Sequence, residues 1–335
     1  MKEALFYISQ QDVVHCQLCP KACKISPGKA GDCMVRENHN GKLYTAVYDH
    51  VSAIHIDPIE KKPLFHFYPG KQILSIGGLG CNFHCNFCQN YGISQCKPSD
   101  YFWLKHLTAE QIADQASRIE NNIGIAYTYN EPFMFYEFML DISRRAKERN
   151  LKNVVVSNGF VNEAPLKAIL PFIDAFNIDL KAFNDKFYTA QVKGRLAPVL
   201  KTIETIFASK THLELTFLVI PGQNDNPDEF EAMLSWISGH IGNNVPLHLS
   251  RYFPQYKMTQ EATPEDTLIR FYRLARECIN HVFLGNVYTL DKANTFCPHC
   301  GYEIISRNRN QTKIGGLGEL GNCLNCSEKV TGIVI

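Results

Sequence analysis

Apolar and polar positions alternate in a regular rhythm from residue 72 to about residue 290. Short apolar runs at 73–76, 123–127, 153–157, 175–180, 212–220, 246–249 and 281–284 read as buried strands. Between them, residues 108–121, 133–150, 163–170, 197–209, 227–239 and 264–279 have the texture of helices. Thr108-Ala-Glu-Gln111 has the form of a capping box, and Asn226 before Pro227 suits an N-cap followed by a first-turn proline. This alternation predicts an α/β fold with a parallel sheet and helical crossovers. Six or so repeats favour a partial (β/α)6 TIM-like barrel over a doubly wound open sheet. In a barrel the chemistry belongs at the C-terminal strand ends.

Both ends of the chain lack this rhythm. Residues 16–33 carry cysteines, Pro20, Pro27, Gly28 and Gly31, and read as loops folded around a metal. Residues 43–68 read as an irregular connector. From Asp291 the chain is again rich in Cys and Gly. The expected organisation is a Cys-rich metal-binding segment with connector at 1–70, a barrel at 71–290 and a ribbon-like four-cysteine segment at 291–335.

Composition narrows the function classes. The 335 residues carry a formal net charge of +1, so no global field draws the chain onto nucleic acid or an anionic membrane. No apolar run is long enough to span a bilayer, and the apolar run at 4–8 has no cleavage-site pattern after it. A cytoplasmic protein is expected. There thiols stay reduced, so the 13 cysteines need an explanation other than disulfides. All but Cys96 and Cys278, which read as ordinary thiols, fall into three clusters, and clustering points to metal.

The central cluster, Cys81-x3-Cys85-x2-Cys88, follows the first strand and a run of glycines. Three thiolates at this spacing can wrap one face of a cubane cluster and leave the fourth iron open to a small molecule. Phe83 and Phe87 would shield it from water. Zinc, with His84 as fourth ligand, and inert buried thiols are the alternatives; His84 adjoins Cys85, which turns its side chain elsewhere.

Cys-x3-Cys-x2-Cys with an aromatic before the last Cys, after the first barrel strand, resembles the radical S-adenosylmethionine (SAM) signature. That resemblance implies a [4Fe–4S] cluster on Cys81, Cys85 and Cys88, chelated by SAM. SAM is then cleaved by one electron to methionine and a 5′-deoxyadenosyl radical. Tyr127-Thr-Tyr-Asn-Glu-Pro132 stands where relatives carry a Gly-Gly-Glu-Pro motif; the Glu-Pro is kept and the glycines are missing. Glu131 would accept from the SAM ammonium, with Thr128 and Asn130 adding polar contacts. Ser157 and Asn158 end the third strand, although Asn-Gly is also an ordinary turn. Asp179 and Lys181 share a face by period-two spacing, and the resemblance carries them into the pocket. Thr216 shares a face with Glu214, and His248 with Ser250. A His in this place contacts SAM in similar activating enzymes, so His248 is included; a satisfied core histidine is its alternative.

Two outer sites remain. Cys16, Cys19, Cys23 and Cys33 offer four thiols to zinc or to an auxiliary Fe–S cluster. Cys297, Cys300, Cys323 and Cys326 form two Cys-x2-Cys knuckles suited to zinc or iron. Gly316, Gly318 and Gly321 spell a dinucleotide fingerprint, but only 14 residues follow, too few for a βαβ unit.

Over nearly the whole chain, the Cys16 and Cys33 segments, Asp57-Pro-Ile-Glu-Lys-Lys-Pro-Leu-Phe-His66 and the later motifs are similar to the AmmeMemoRadiSam-system radical SAM enzyme, related to pyruvate formate-lyase activating enzyme. This implies a reducing partner such as flavodoxin or ferredoxin, and cooperation with Memo-like and AMMECR-like proteins. A glycyl-radical enzyme activase and a zinc-bound interaction protein without redox chemistry are the other readings.

Overall fold

The computed structural model describes residues 1–101, 103–287, 292–308 and 311–335. Its centre is one eight-stranded sheet. We number its strands β1 (Ala53–Pro58), β2 (Gln72–Gly77), β3 (Asn122–Tyr127), β4 (Lys152–Ser157), β5 (Ala175–Asp179), β6 (His212–Val219), β7 (Leu247–Arg251) and β8 (Val282–Gly285). They lie side by side in chain order. β2 to β8 are all parallel, while β1 runs antiparallel along β2, from Ala53 opposite Gly77 to Pro58 opposite Gln72. β1 and β8 do not pair, so the barrel stays open. β2 to β5 are buried almost without alternation, as expected for parallel strands covered on both faces.

The expected helices form: α1 (Ala109–Arg118), α2 (Tyr136–Glu148), α3 (Glu163–Ile169), α4 (Leu196–Ala208), α5 (Pro227–His240) and α6 (Glu265–Arg276). The caps act as their sequences suggest. Gln111 N–H donates to Thr108 Oγ1 at 3.1 Å, and Thr108 N–H to Gln111 Oε1 at 2.8 Å. Asn226 Oδ1 accepts from Asp228 and Glu229 N–H at 2.8 and 3.2 Å. Each interaction satisfies amide groups that the helix itself leaves open.

The chain before β2 is more regular than its sequence suggests. The connector at 43–68 supplies β1, whose own alternation is interrupted by His55, Asp57 and Pro58. Two small antiparallel sheets precede it, one of Tyr7–Gln10, Val13–Cys16 and Lys24–Ile25, the other of Lys2–Glu3, Lys42–Thr45 and Arg36–His39. Val14 and Ile25 of these sheets, with Leu18 and Val35 of the adjoining loops, join the same hydrophobic core as the barrel. A buried ion pair pins them to α2: Arg36 Nη1 lies 3.1 Å from Glu137 Oε1.

The C-terminal segment has its own three-stranded sheet of Thr295–Phe296, Glu303–Arg307 and Thr312–Ile314. Its small core of Cys297, Ile304, Ile305, Cys323 and Val330 is separate from that of the barrel. The expected boundary at 290–291 lies outside the described residues. No helix among the described residues is long and apolar enough to cross a membrane.

Candidate active site at the C-terminal strand ends

The loop after β2 carries the three central cysteines. It leaves the strand through Gly80, whose φ of +83° favours glycine. A Cβ there would lie 2.7 Å from the Cys33 carbonyl oxygen, so Gly80 also lets this loop press against the N-terminal cysteine segment. Phe83 packs on Phe160, with ring centroids 4.8 Å apart, and Phe87 on Phe187 at 5.9 Å. These contacts seat the loop in the core.

Cys81, Cys85 and Cys88 open into one cavity of about 360 Å³. Thr128, Asn130, Glu131, Ser157, Asn158, Asp179, Lys181 and Thr216 line it too. β2 to β6 therefore bring eleven of the expected residues to one place, as parallel strands direct their C-terminal ends to one side.

Each side chain has a definite setting. Glu131 is buried; its Oε1 accepts from Ser157 Oγ at 2.8 Å and Phe133 N–H at 3.2 Å, and its Oε2 from Asn158 N–H at 2.8 Å. Burial pushes its carboxyl up to about 7, against the pull of those donors. Lys181 Nζ lies 3.0 Å from Asp179 Oδ2. Burial opposes its charge, but Asp179 and Cys85 outweigh that and hold the ammonium above its ordinary range. Asn130 spans the glycine loop, accepting from Gly78 N–H at 3.0 Å and donating to Gly80 O at 2.9 Å. Thr216 Oγ1 donates to Asn177 Oδ1 at 2.8 Å. Asn158 Nδ2 reaches Asn82 Oδ1 at 2.9 Å and Cys81 Sγ at 3.7 Å.

The cavity suits a cluster better than a single ion. No three of its donor groups gather their ligand atoms within 4.8 Å of one another. A tetrahedral zinc would hold sulfurs about 3.8 Å apart, from its Zn–S bonds of about 2.3 Å. His84 is not available as a fourth ligand, since its Nε2 lies 3.1 Å from Asp32 Oδ2 and its Nδ1 meets Gln95. Burial pushes the three thiols up, Cys85 to about 12, so ionised sulfurs here require bound cations.

His248 stands apart from the cavity. It is buried, and its Nε2 lies 2.6 Å from Glu214 Oε2. Glu214 also accepts from His212 at 2.9 Å and from the amides of Phe65 and His66 at 3.0 and 2.8 Å. The satisfied core histidine is the arrangement observed.

Sequence reasoning missed Lys62 and Tyr129, which line the same cavity from the loops after β1 and β3, the two strands that flank β2. Lys62 Nζ lies 2.7 Å from Asp57 Oδ2, which also accepts from Tyr129 Oη at 2.7 Å. The available signal was the Asp57 to His66 motif, which marked a resemblance but carried no assigned role.

The outer cysteines form two separate groups. Cys16, Cys19, Cys23 and Cys33 face a small cavity beside the central loop. Cys297, Cys300, Cys323 and Cys326 lie with all four sulfurs within 4.8 Å of one another. Both groups can bind metal.

A family model described as "Radical SAM superfamily" matches residues 75–237. An uncharacterized protein of Methanocaldococcus jannaschii is 43% identical over 334 residues, covering 98% of this chain and 99% of that one. The benzylsuccinate synthase activating enzyme of Thauera aromatica is 22% identical over 41% of this chain and 42% of its own length. The isethionate sulfite-lyase activating enzyme of Nitratidesulfovibrio vulgaris is 26% identical over 44% and 51%. The chain thus spans about half the length of these activating enzymes. Among solved structures, a radical SAM methyltransferase from Sphaerobacter thermophilus matches with TM-score 0.53 and 18% identity over 71% of each chain. At that identity the likeness speaks for the fold.

Proposed function

The chain belongs to the radical SAM superfamily, and on that premise we propose that Cys81, Cys85 and Cys88 hold its catalytic [4Fe–4S] cluster and leave one iron open to SAM. When bound, the cluster and SAM supply one-electron cleavage of SAM to methionine and a 5′-deoxyadenosyl radical, which takes a hydrogen atom from the substrate. The observation that carries this reading is the single cavity shared by the three thiols and the polar strand ends.

In this reading Glu131 receives the SAM ammonium. Ser157 and Asn158 hold its carboxylate still, and the charged ammonium keeps it ionised despite burial. Asn130 acts indirectly by fixing the glycine loop. Asp179 and Lys181 add a fixed acid–base pair to the lining at the end of β5, suited to the polar ends of SAM. Thr128 and Thr216 complete the lining.

The chemistry needs a one-electron reductant, for which a flavodoxin or ferredoxin is the natural class. We read the substrate as one handled in the AmmeMemoRadiSam system, with Memo-like and AMMECR-like partners, in a cytoplasm that keeps the cysteines reduced. That reading rests on motifs running from Cys16 to the Cys-x2-Cys tail. A glycyl-radical enzyme activase is the second reading, favoured by the matches to activating enzymes.

The test is anaerobic turnover with a reductant. Reconstituted protein should produce 5′-deoxyadenosine, and Ala at Cys81, Cys85 and Cys88 should abolish it. SAM cleavage surviving in that triple variant overturns the assignment. Deuterium moving from a candidate partner or small molecule into 5′-deoxyadenosine identifies the substrate; a glycyl radical on an added partner selects the activase.

A further inference from the structure

The N-terminal cysteines have no part in the cavity just described, yet they are built into the same core. Cys16, Cys19 and Cys33 are buried and Cys23 half-buried, and all four line one small cavity. Strand pairing holds it shut: Val14 and His15 lie opposite Ile25 and Lys24, and Cys16 N–H donates to Cys23 O at 3.0 Å. Amides point at the sulfurs, with Asp32 N–H 3.5 Å from Cys23 Sγ. Lys21 and Arg36 also line the cavity, each paired with a carboxylate, Asp32 at 2.8 Å and Glu137 at 3.1 Å.

The sulfur separations decide what fits. The C-terminal four show the geometry of one ion, with Cys297–Cys326 and Cys300–Cys323 sulfurs each 3.7 Å apart. That matches the roughly 3.8 Å edge expected around a tetrahedral ion with bonds of about 2.3 Å. No three of the N-terminal sulfurs lie within 4.8 Å of one another, although all four face one space. As these side chains stand, the four sulfurs are not gathered around one ion. A cubane can take all four, because it places each thiolate on a different iron and so spreads the ligands.

We propose that Cys16, Cys19, Cys23 and Cys33 hold a second [4Fe–4S] cluster, next to the catalytic one and bridged to it by Asn82 and Asn158. Asn82 lines the N-terminal cavity, and its Nδ2 donates to Phe160 O at 2.7 Å. Its Oδ1 accepts from Asn158 Nδ2 at 2.9 Å, and that same nitrogen lies 3.7 Å from Cys81 Sγ. Two amide side chains thus run from the wall of the N-terminal cavity to a sulfur of the central group. Four thiolates saturate the outer cluster, so it is a one-electron carrier with no iron open to a ligand. The cysteine site stands on its own geometry; only the closeness of two clusters rests on the assignment of Cys81, Cys85 and Cys88.

The Cys81→Ala/Cys85→Ala/Cys88→Ala variant, reconstituted anaerobically with iron and sulfide, should keep about four iron and four sulfide per chain and a reduced-cluster EPR signal. A variant holding a mononuclear metal at the N-terminal site, with no acid-labile sulfide, overturns the proposal. If this variant does not fold, the intact chain decides. It should hold about eight iron, and Cys16→Ser/Cys19→Ser should lower that to about four. About four iron in both sinks the second cluster. For the bridge, the fully reduced intact protein should show an EPR spectrum broadened beyond the sum of the two single-cluster variants. A simple sum overturns the closeness. Failure of SAM cleavage with both clusters present would count against the catalytic reading alone.

Discussion

The two outer cysteine segments offer the same four ligands and use them in opposite ways. The C-terminal four close to tetrahedral contact, with Cys297 and Cys323 in a small core of their own and Cys300 exposed. The N-terminal four stand apart around a cavity, and their neighbours Val14, Leu18 and Val35 belong to the barrel core. The tail thus keeps its cysteines apart from the barrel core, whereas the N-terminal cysteines adjoin the loop that carries Cys81, Cys85 and Cys88. Ligand count does not distinguish them; the distances between sulfurs, and what surrounds them, do.

The largest effect should come from the tail. Structural four-cysteine ions contribute roughly 10–16 kcal/mol of apparent binding free energy to folding. Cys297→Ala should cost the tail its ion and make 292–335 sensitive to protease, while the barrel keeps its iron and its SAM cleavage. Loss of turnover with folding and metal intact would instead make this a catalytic centre and erase the contrast.

A smaller effect probes how the N-terminal segment is docked. Arg36→Leu leaves Glu137 buried without its partner and should destabilise the whole protein by about 3–5 kcal/mol, read from a denaturant midpoint. The double variant with Glu137→Leu should recover much of that. A single-variant cost no larger than that of a surface change would mean the segment is not coupled to the barrel.

The active site should respond to pH through Glu131. Its folded value of about 7 lies above its ordinary 4.5, so the folded state binds the proton more tightly. The stability it contributes is thus complete at pH below about 4.5 and lost as pH rises through about 7. Under the proposed assignment SAM binding runs the other way, because its ammonium prefers the carboxylate. Affinity should rise about tenfold from roughly pH 6 to roughly pH 8, and Glu131→Gln should flatten the profile. A profile unchanged by that substitution removes Glu131 from the ammonium site.

The smallest change serves as a control outside both metal segments. Thr108→Ala removes the cap of α1 and should cost about 1 kcal/mol in thermal or denaturant unfolding. Iron and zinc contents should stay as they were. A shift in either would mean that the metal sites report general stability and not local geometry.

Much of this was legible beforehand. Parallel strands buried on both faces announce themselves as apolar runs, and the Thr108 and Asn226 caps are local signals whose partners lie within three residues. β1 escaped notice because a half-exposed edge strand with a His, an Asp and a Pro has little periodicity to read. His248 misled because period-two spacing names a face and not a neighbour. In the fold its nitrogen meets Glu214, below the cavity.

The sequence by itself determined the order of strands and helices, the places where cysteines cluster and the strand ends that carry polar groups. These are properties of local period and spacing, and they survive whatever packs around them. Only the tertiary structure decided how far apart the sulfurs stand, that Asn82 on the N-terminal cavity wall meets Asn158 beside Cys81, and that Gly80 approaches the Cys33 backbone. Such distances are set where loops from remote parts of the chain close on one another, and spacing along the chain limits reach without choosing direction.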